Sequence, residues 1–106
     1  MVPDYDLAPS VTANTAQQLK AIAEPVRGLI LDLVLERAAS VTELAAALDR
    51  PKSSIAYHVD VLVDAGLLQI VRTRKVRAID ERFYGRTGGT IILGKHPTPE
   101  DAARQD

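Results

Sequence analysis

The chain has 106 residues, a hydrophobic fraction of 46% and a formal net charge of −1 at pH 7, the size and apolar content of about one globular domain. It holds no Cys, which excludes a disulfide framework, a thiolate metal site and a nucleophilic thiol. No apolar run approaches the roughly 18 residues of a membrane span, and the opening MVPDYDLAPS lacks the basic and apolar regions of a signal peptide. The expectation is a soluble cytoplasmic protein. With one Phe, three Tyr and no Trp, its core must be built from Leu, Ile, Val and Ala, which suits small packed helices.

Residues 1–12, with Pro3, Pro9 and two Asp, read as a flexible N-terminal arm. Thr12 or Thr15 can cap a first helix, and Thr15 to Gln18 has capping-box spacing. Leu19, Ile22 and Ala23 then recur at helical spacing. Pro25 stops that helix and starts the next, where its missing N–H costs nothing. The second helix runs PVRGLILDLVLER, with Val26, Leu29, Ile30, Leu33 and Val34 on one broad face and Leu31 and Leu35 pointing elsewhere. Residues 38–41 form a short connection with Val41 as a candidate strand residue. Thr42 caps a short third helix, ELAAALD, and Asp49-Arg50-Pro51 makes a turn. The fourth helix covers Lys52 to Ala65, and Gly66 stands where a left-handed cap is wanted.

LLQIVRT and VRAIDERFY both alternate with period two, so they read as a β-hairpin with TRK as its loop. TIIL, residues 90–93, is either a third strand or a segment tucked against the first helix. Residues 95–106 read as a polar tail with a helix start at Thr98. The domain proper is expected over residues 13–94.

A short helix, a tight turn, a longer helix and a two-stranded wing make the winged helix-turn-helix plan. The fold class is therefore mainly α with a small β-hairpin. On the fourth helix, Ile55, Val59 and Leu62 share a core face, with Val63 and His58 on its flanks. The opposite face begins with Ser53 and Tyr57, flanked by Ser54 and Ala56. Hydroxyls, a methyl and a phenol can reach base edges and phosphates in a major groove, and the helix N-terminus favours phosphate. Between Arg50 and Arg86 there are eight basic residues against four acidic ones, although the chain as a whole is slightly acidic. Such a basic half suits a polyanion-binding face, and a solvated charged surface would give it too.

LKAIAEPVRGLILDLVLE, VTELAAALDRPKSSIAYHVDVLVDAGLL and RAIDERFYGRTG together resemble the ArsR/SmtB-type bacterial repressors, over about residues 19–90. The resemblance implies a homodimer on double-stranded DNA, with the wings touching DNA. Carried over by position, it places Lys52, Ser53, Ser54 and Tyr57 on an operator and Arg74, Lys75 and Arg77 in the wing. Arg50 and Arg72 join them as basic neighbours. The family often senses metals through Cys residues absent here. It also pairs through a long C-terminal helix for which this chain has little room.

Lone histidines make poor metal sites, so His58 reads as a half-buried packing residue, and neither it nor His96 is assigned a metal. Arg82 and Arg86 read either as wing cations or as partners of Asp80, Glu81 or Glu24. No phosphate loop and no catalytic triad is legible, so no cofactor and no enzymatic activity are expected. The expectation is a sequence-specific, homodimeric repressor on an inverted repeat. The alternative is a winged-helix interaction module that does not read DNA.

Overall fold

A computed structural model describes residues 2–94; the tail over residues 95–106, with its helix start and His96, lies outside the described residues. The elements run β1 (Ala8–Ala13), α1 (Ala16–Ala23), α2 (Pro25–Leu33), α3 (Val41–Leu48), α4 (Lys52–Asp64), β2 (Leu68–Val76), β3 (Ile79–Arg86) and β4 (Gly88–Leu93). Four short helices pack around Ile30, Leu44, Ile55, Leu62 and Leu67, all fully buried. The hairpin β2–β3 projects from them as a wing.

Local chemistry sets the helix starts. Thr15 and Gln18 close the expected capping box on α1, with the Gln18 amide donating to Thr15 Oγ1 at 3.1 Å and the Thr15 amide to Gln18 Oε1 at 3.2 Å. Glu24 caps α2 by accepting from the Val26 and Arg27 amides. On α3 the cap is Ser40, two residues before the expected Thr42. Its partner is Glu43, again a reciprocal capping box, and a Ser-x-x-Glu pair satisfies two free amides where a lone Thr satisfies one.

The second helix is shorter than the periodicity predicts. It stops at Leu33, and the carbonyls that follow are taken by the N-terminal arm. Tyr5 Oη donates to Val34 O at 2.5 Å, and the Asp4 amide donates to Glu36 O at 2.8 Å. The inward face of α2 is Val26, Ile30, Leu31 and Val34, while Leu29 and Leu33 lie about half exposed on its outer flank. This corrects the broad face read from the sequence, which grouped Leu29 and Leu33 with Val26, Ile30 and Val34 and left Leu31 off it.

The arm itself is docked rather than free. β1 pairs in parallel with β4, from Ala8 opposite Gly88 to Ala13 opposite Leu93, so TIIL is a strand whose partner is the chain's own beginning. Asp4 accepts from the Ala38 amide at 2.9 Å and pairs with Arg72 at 3.2 Å. The Ala38 N–H, ahead of the Arg72 guanidinium, holds the Asp4 carboxyl below the usual carboxylate range. That contribution is present above the ordinary carboxylate pKa and is lost as pH falls through the lowered value.

Arg86 is buried and has no carboxylate beside it among the described residues. Its guanidinium donates to three backbone carbonyls, Gly88 O at 3.1 Å, Gly89 O at 3.0 Å and Leu31 O at 3.4 Å. It ties the exit of the wing to the end of α2, which removes it from the acidic partners expected for it.

The hairpin turns at Arg77-Ala78, later than the expected TRK. Both residues have positive φ, 52° and 67°, as a tight two-residue turn matching the strand twist requires. Neither is the Gly or Asn that adopts this region cheaply. Ala78→Gly should therefore stabilise the fold by roughly 1 kcal/mol. Thermal denaturation followed by circular dichroism should show a midpoint about 4–8 °C higher; an unchanged midpoint would refute the strained turn.

Candidate nucleic-acid interface

Burial of Ile55, Val59 and Leu62 fixes the outward face of α4. That face carries Ser53 and Tyr57, then Asp60 and Asp64, all exposed. Tyr57 keeps 61% of its surface free, so its phenol is available to a partner. Lys52 and Arg50 are exposed at the turn, and Ser54 and Ala56 are half-buried on the flanks. Pro51 starts α4 with no side-chain cap, whereas α1, α2 and α3 each carry one. The first amides of α4 are thus open to an outside acceptor, at the helix end where the dipole favours an anion.

His58 lies half-buried beside Tyr57, the two rings meeting edge-on at 5.4 Å. Arg27 Nη1 lies 3.1 Å from His58 Nδ1. A guanidinium can only donate, so Nδ1 accepts and the ring hydrogen sits on Nε2. Arg27 Nε also donates to Ala21 O at 2.6 Å. His58 therefore pins α4 to the α1–α2 corner. Among the described residues, no three His, Asp or Glu side chains converge to hold a metal.

Asp60, one turn beyond Tyr57, limits how far along α4 a polyanion can lie. Asp60→Asn should raise affinity for duplex DNA about twofold, because a like charge about 10 Å from a phosphate costs about 0.4 kcal/mol in water before screening. Fluorescence anisotropy at low salt would measure it, and weaker binding would mean that DNA does not approach this face.

The wing divides its cations between two faces, and a β-bulge decides the division. Ile70 pairs with Tyr84, but Arg72 pairs with Phe83, with Val71 left over between them. One extra residue exchanges the faces of everything after it. Thr73 and Lys75 consequently share a face with Arg82 and Tyr84, towards the helices. Arg72 and Arg74 share the other face with Phe83 and Glu81. Both guanidinium carbons lie 5.3 Å from the Phe83 ring centre. Arg72 is paired with Asp4, and Arg74 with Glu81 at 2.8 Å. Those two arginines cover an aromatic ring and are neutralised. Among the described residues Lys75, Arg77 and Arg82 have no such partner.

Of the nine site residues expected from sequence, the structure brings Lys52 and Arg77 together in one groove, while Ser53 and Tyr57 lie exposed on α4 and Lys75 lies exposed on the wing. Lys52, Arg77 and Arg82 line one groove of about 490 Å³ between the starts of α3 and α4 and the wing. Arg50 sits at the far side of that helix start, in a depression shared with Thr42 and Lys52. Arg72 and Arg74 line a different depression with Arg37, Glu43 and Phe83. Arg82, which was not among the expected site residues, lines the groove with Lys52 and Arg77; its parity with Tyr84, a core residue, was the available signal.

No curated protein matches the chain by sequence. A helix-turn-helix domain model matches residues 22–71, from late α1 into β2. Among solved structures, HlyU from Vibrio cholerae N16961 is 29% identical with a TM-score of 0.54, over 82% of this chain and 78% of that one. The homodimeric winged helix-turn-helix DNA-binding domain of Mb0332 from Mycobacterium bovis, a possible ArsR-family transcriptional regulator, is 25% identical with a TM-score of 0.57, over 69% of this chain and 63% of that one. The transcriptional repressor BigR from Xylella fastidiosa is 29% identical with a TM-score of 0.53, over 65% of this chain and 63% of that one. The chain is similar to ArsR-type winged helix-turn-helix regulators. HlyU from Vibrio vulnificus is described as a transcriptional regulator and BigR as a transcriptional repressor. The matched segment supplies α2, α3 and α4, while the wing's second strand, with Arg82, lies beyond it. No helix of the described residues is long and apolar enough to cross a membrane.

Proposed function

We propose that the protein is a DNA-binding transcriptional regulator that acts as a homodimeric repressor on an inverted repeat in the cytoplasm. The first half of α4 enters the major groove, and the wing follows the backbone through Lys75, Arg77 and Arg82. The observation that carries this reading is the shared groove: the uncapped start of α4 with Lys52 forms one wall, and the unpaired cations of the wing form the other. A duplex needs both at once, phosphate contacts to set register and short polar side chains to reach base edges. The half-site spacing of such a dimer is about 34–36 Å, and the Mycobacterium bovis neighbour is homodimeric.

Selection of genomic fragments with the purified protein, followed by anisotropy on the enriched duplex, tests the reading. Binding should weaken steeply with salt. Tyr57→Ala should reduce discrimination between the enriched duplex and a scrambled one by about 1–3 kcal/mol while leaving the salt slope unchanged. A protein that enriches no fragment and passes through a DNA column at low salt is an interaction module instead.

A further inference from the structure

The groove that faces DNA is also built to hold something smaller. Val76 is 40% and Ile79 71% exposed, unusual for apolar side chains at the tip of a charged hairpin. Both lie in the groove, together with Val41 and the Tyr84 ring. Lys52 enters from α4 and Arg82 from β3. Of the two acids beside them, Glu81 is engaged by Arg74 and Asp80 stands opposite Lys75 in the hairpin register. The wall is thus an apolar surface with three cations, Lys52, Arg77 and Arg82, outnumbering Asp80, in a volume of about 490 Å³, the size of a small-molecule site.

We infer that this groove binds an amphipathic carboxylate, with the hydrocarbon lying on Val41, Val76, Ile79 and Tyr84 and the carboxylate held between Lys52 and Arg82. Phosphate or sulfate alone would leave the apolar wall exposed, and a neutral lipid would leave the cations without an anion. The chemistry selects a molecule with both parts. Because Lys52 and Arg82 are also the cations offered to DNA, the ligand and a duplex exclude each other, and the ligand acts as an inducer. The exclusion rests on the DNA-binding reading; occupancy of the groove by the carboxylate does not.

Submicellar octanoate is a suitable probe, with octan-1-ol as its uncharged counterpart. In a titration of the 15N-labelled chain, octanoate should shift the amides of residues 40–42, 52 and 76–84, and octan-1-ol should bind at least about tenfold more weakly, the value of one charge-assisted hydrogen bond. Arg82→Gln and Ile79→Ser, both at exposed positions, should each weaken octanoate by about tenfold with the spectrum otherwise preserved. No shifts, shifts elsewhere, or equal affinity for the alcohol would overturn the site. Displacement of a bound duplex in proportion to octanoate occupancy supports the exclusion, and simultaneous binding overturns it. If the chain binds octanoate in the groove but no duplex, the DNA-binding reading fails while the carboxylate site stands.

Discussion

Replacing Lys75, Arg77 and Arg82 together with alanine should lower affinity for duplex DNA of any sequence about a thousandfold and flatten the log–log salt slope by about 2.7, three phosphate contacts at about 0.9 each. The paired change Arg72→Ala with Arg74→Ala removes two positive charges from the same hairpin and should do much less, within about threefold. Net charge treats the two sets as near equivalents. Geometry separates them, because Arg72 and Arg74 lie over Phe83 and carry Asp4 and Glu81. Anisotropy titrations at several salt concentrations would read both constants and slopes. Equal losses from the two sets would mean that the duplex approaches the Phe83 face and that the assigned groove is wrong.

Gly85→Ala should be the most damaging single-methyl change in the wing. A Cβ there would stand 2.5–2.9 Å from three ring carbons of Tyr5. The ring cannot retreat freely, because Tyr5 Oη donates to Val34 O and accepts from the Arg86 amide at 2.8 Å. Overpacking of this kind costs about 1–3 kcal/mol, and urea denaturation would register it. The diagnostic is non-additivity: once Tyr5→Ala has removed the ring, Gly85→Ala should cost almost nothing further. An additive double variant would mean that Gly85 matters for a reason other than the tyrosine.

The helices were legible because their signals are local. Capping boxes, Pro25 at a first turn, the 3.6-residue repeat of Ile55, Val59 and Leu62, and Gly66 with φ 75° all act within a few residues. The wing was legible as alternation. What sequence could not show depended on contacts between distant segments. The carbonyls that follow α2 are satisfied by Tyr5 and Asp4, which stand about thirty residues away. The strand β1 has no alternating apolar pattern, since APSVTA is mostly exposed, and only its partner β4 makes it a strand. The face of the wing cations depended on a single unpaired residue at Val71, and alternation without that bulge puts Arg72 and Arg74 beside Arg82. The turn at Arg77-Ala78 lacked Gly and Asn, so composition pointed to the wrong loop. At the site, the exposed side of α4 was legible from its periodicity, whereas alternation gave no sign that Arg72 and Arg74 would be paired with Asp4 and Glu81.

The pairing of β1 with β4 also bears on how the chain reaches this state. The helices and the hairpin close short loops, which form quickly. The parallel pair joins the first strand to the last, so it closes almost the whole described chain and must come late. During synthesis, the N-terminal segment waits until β4 has left the ribosome, with Tyr5 lacking its Arg86 partner until then. A nascent chain stalled before Gly88 would present folded helices with an unanchored beginning, exposed to proteases that the finished protein resists.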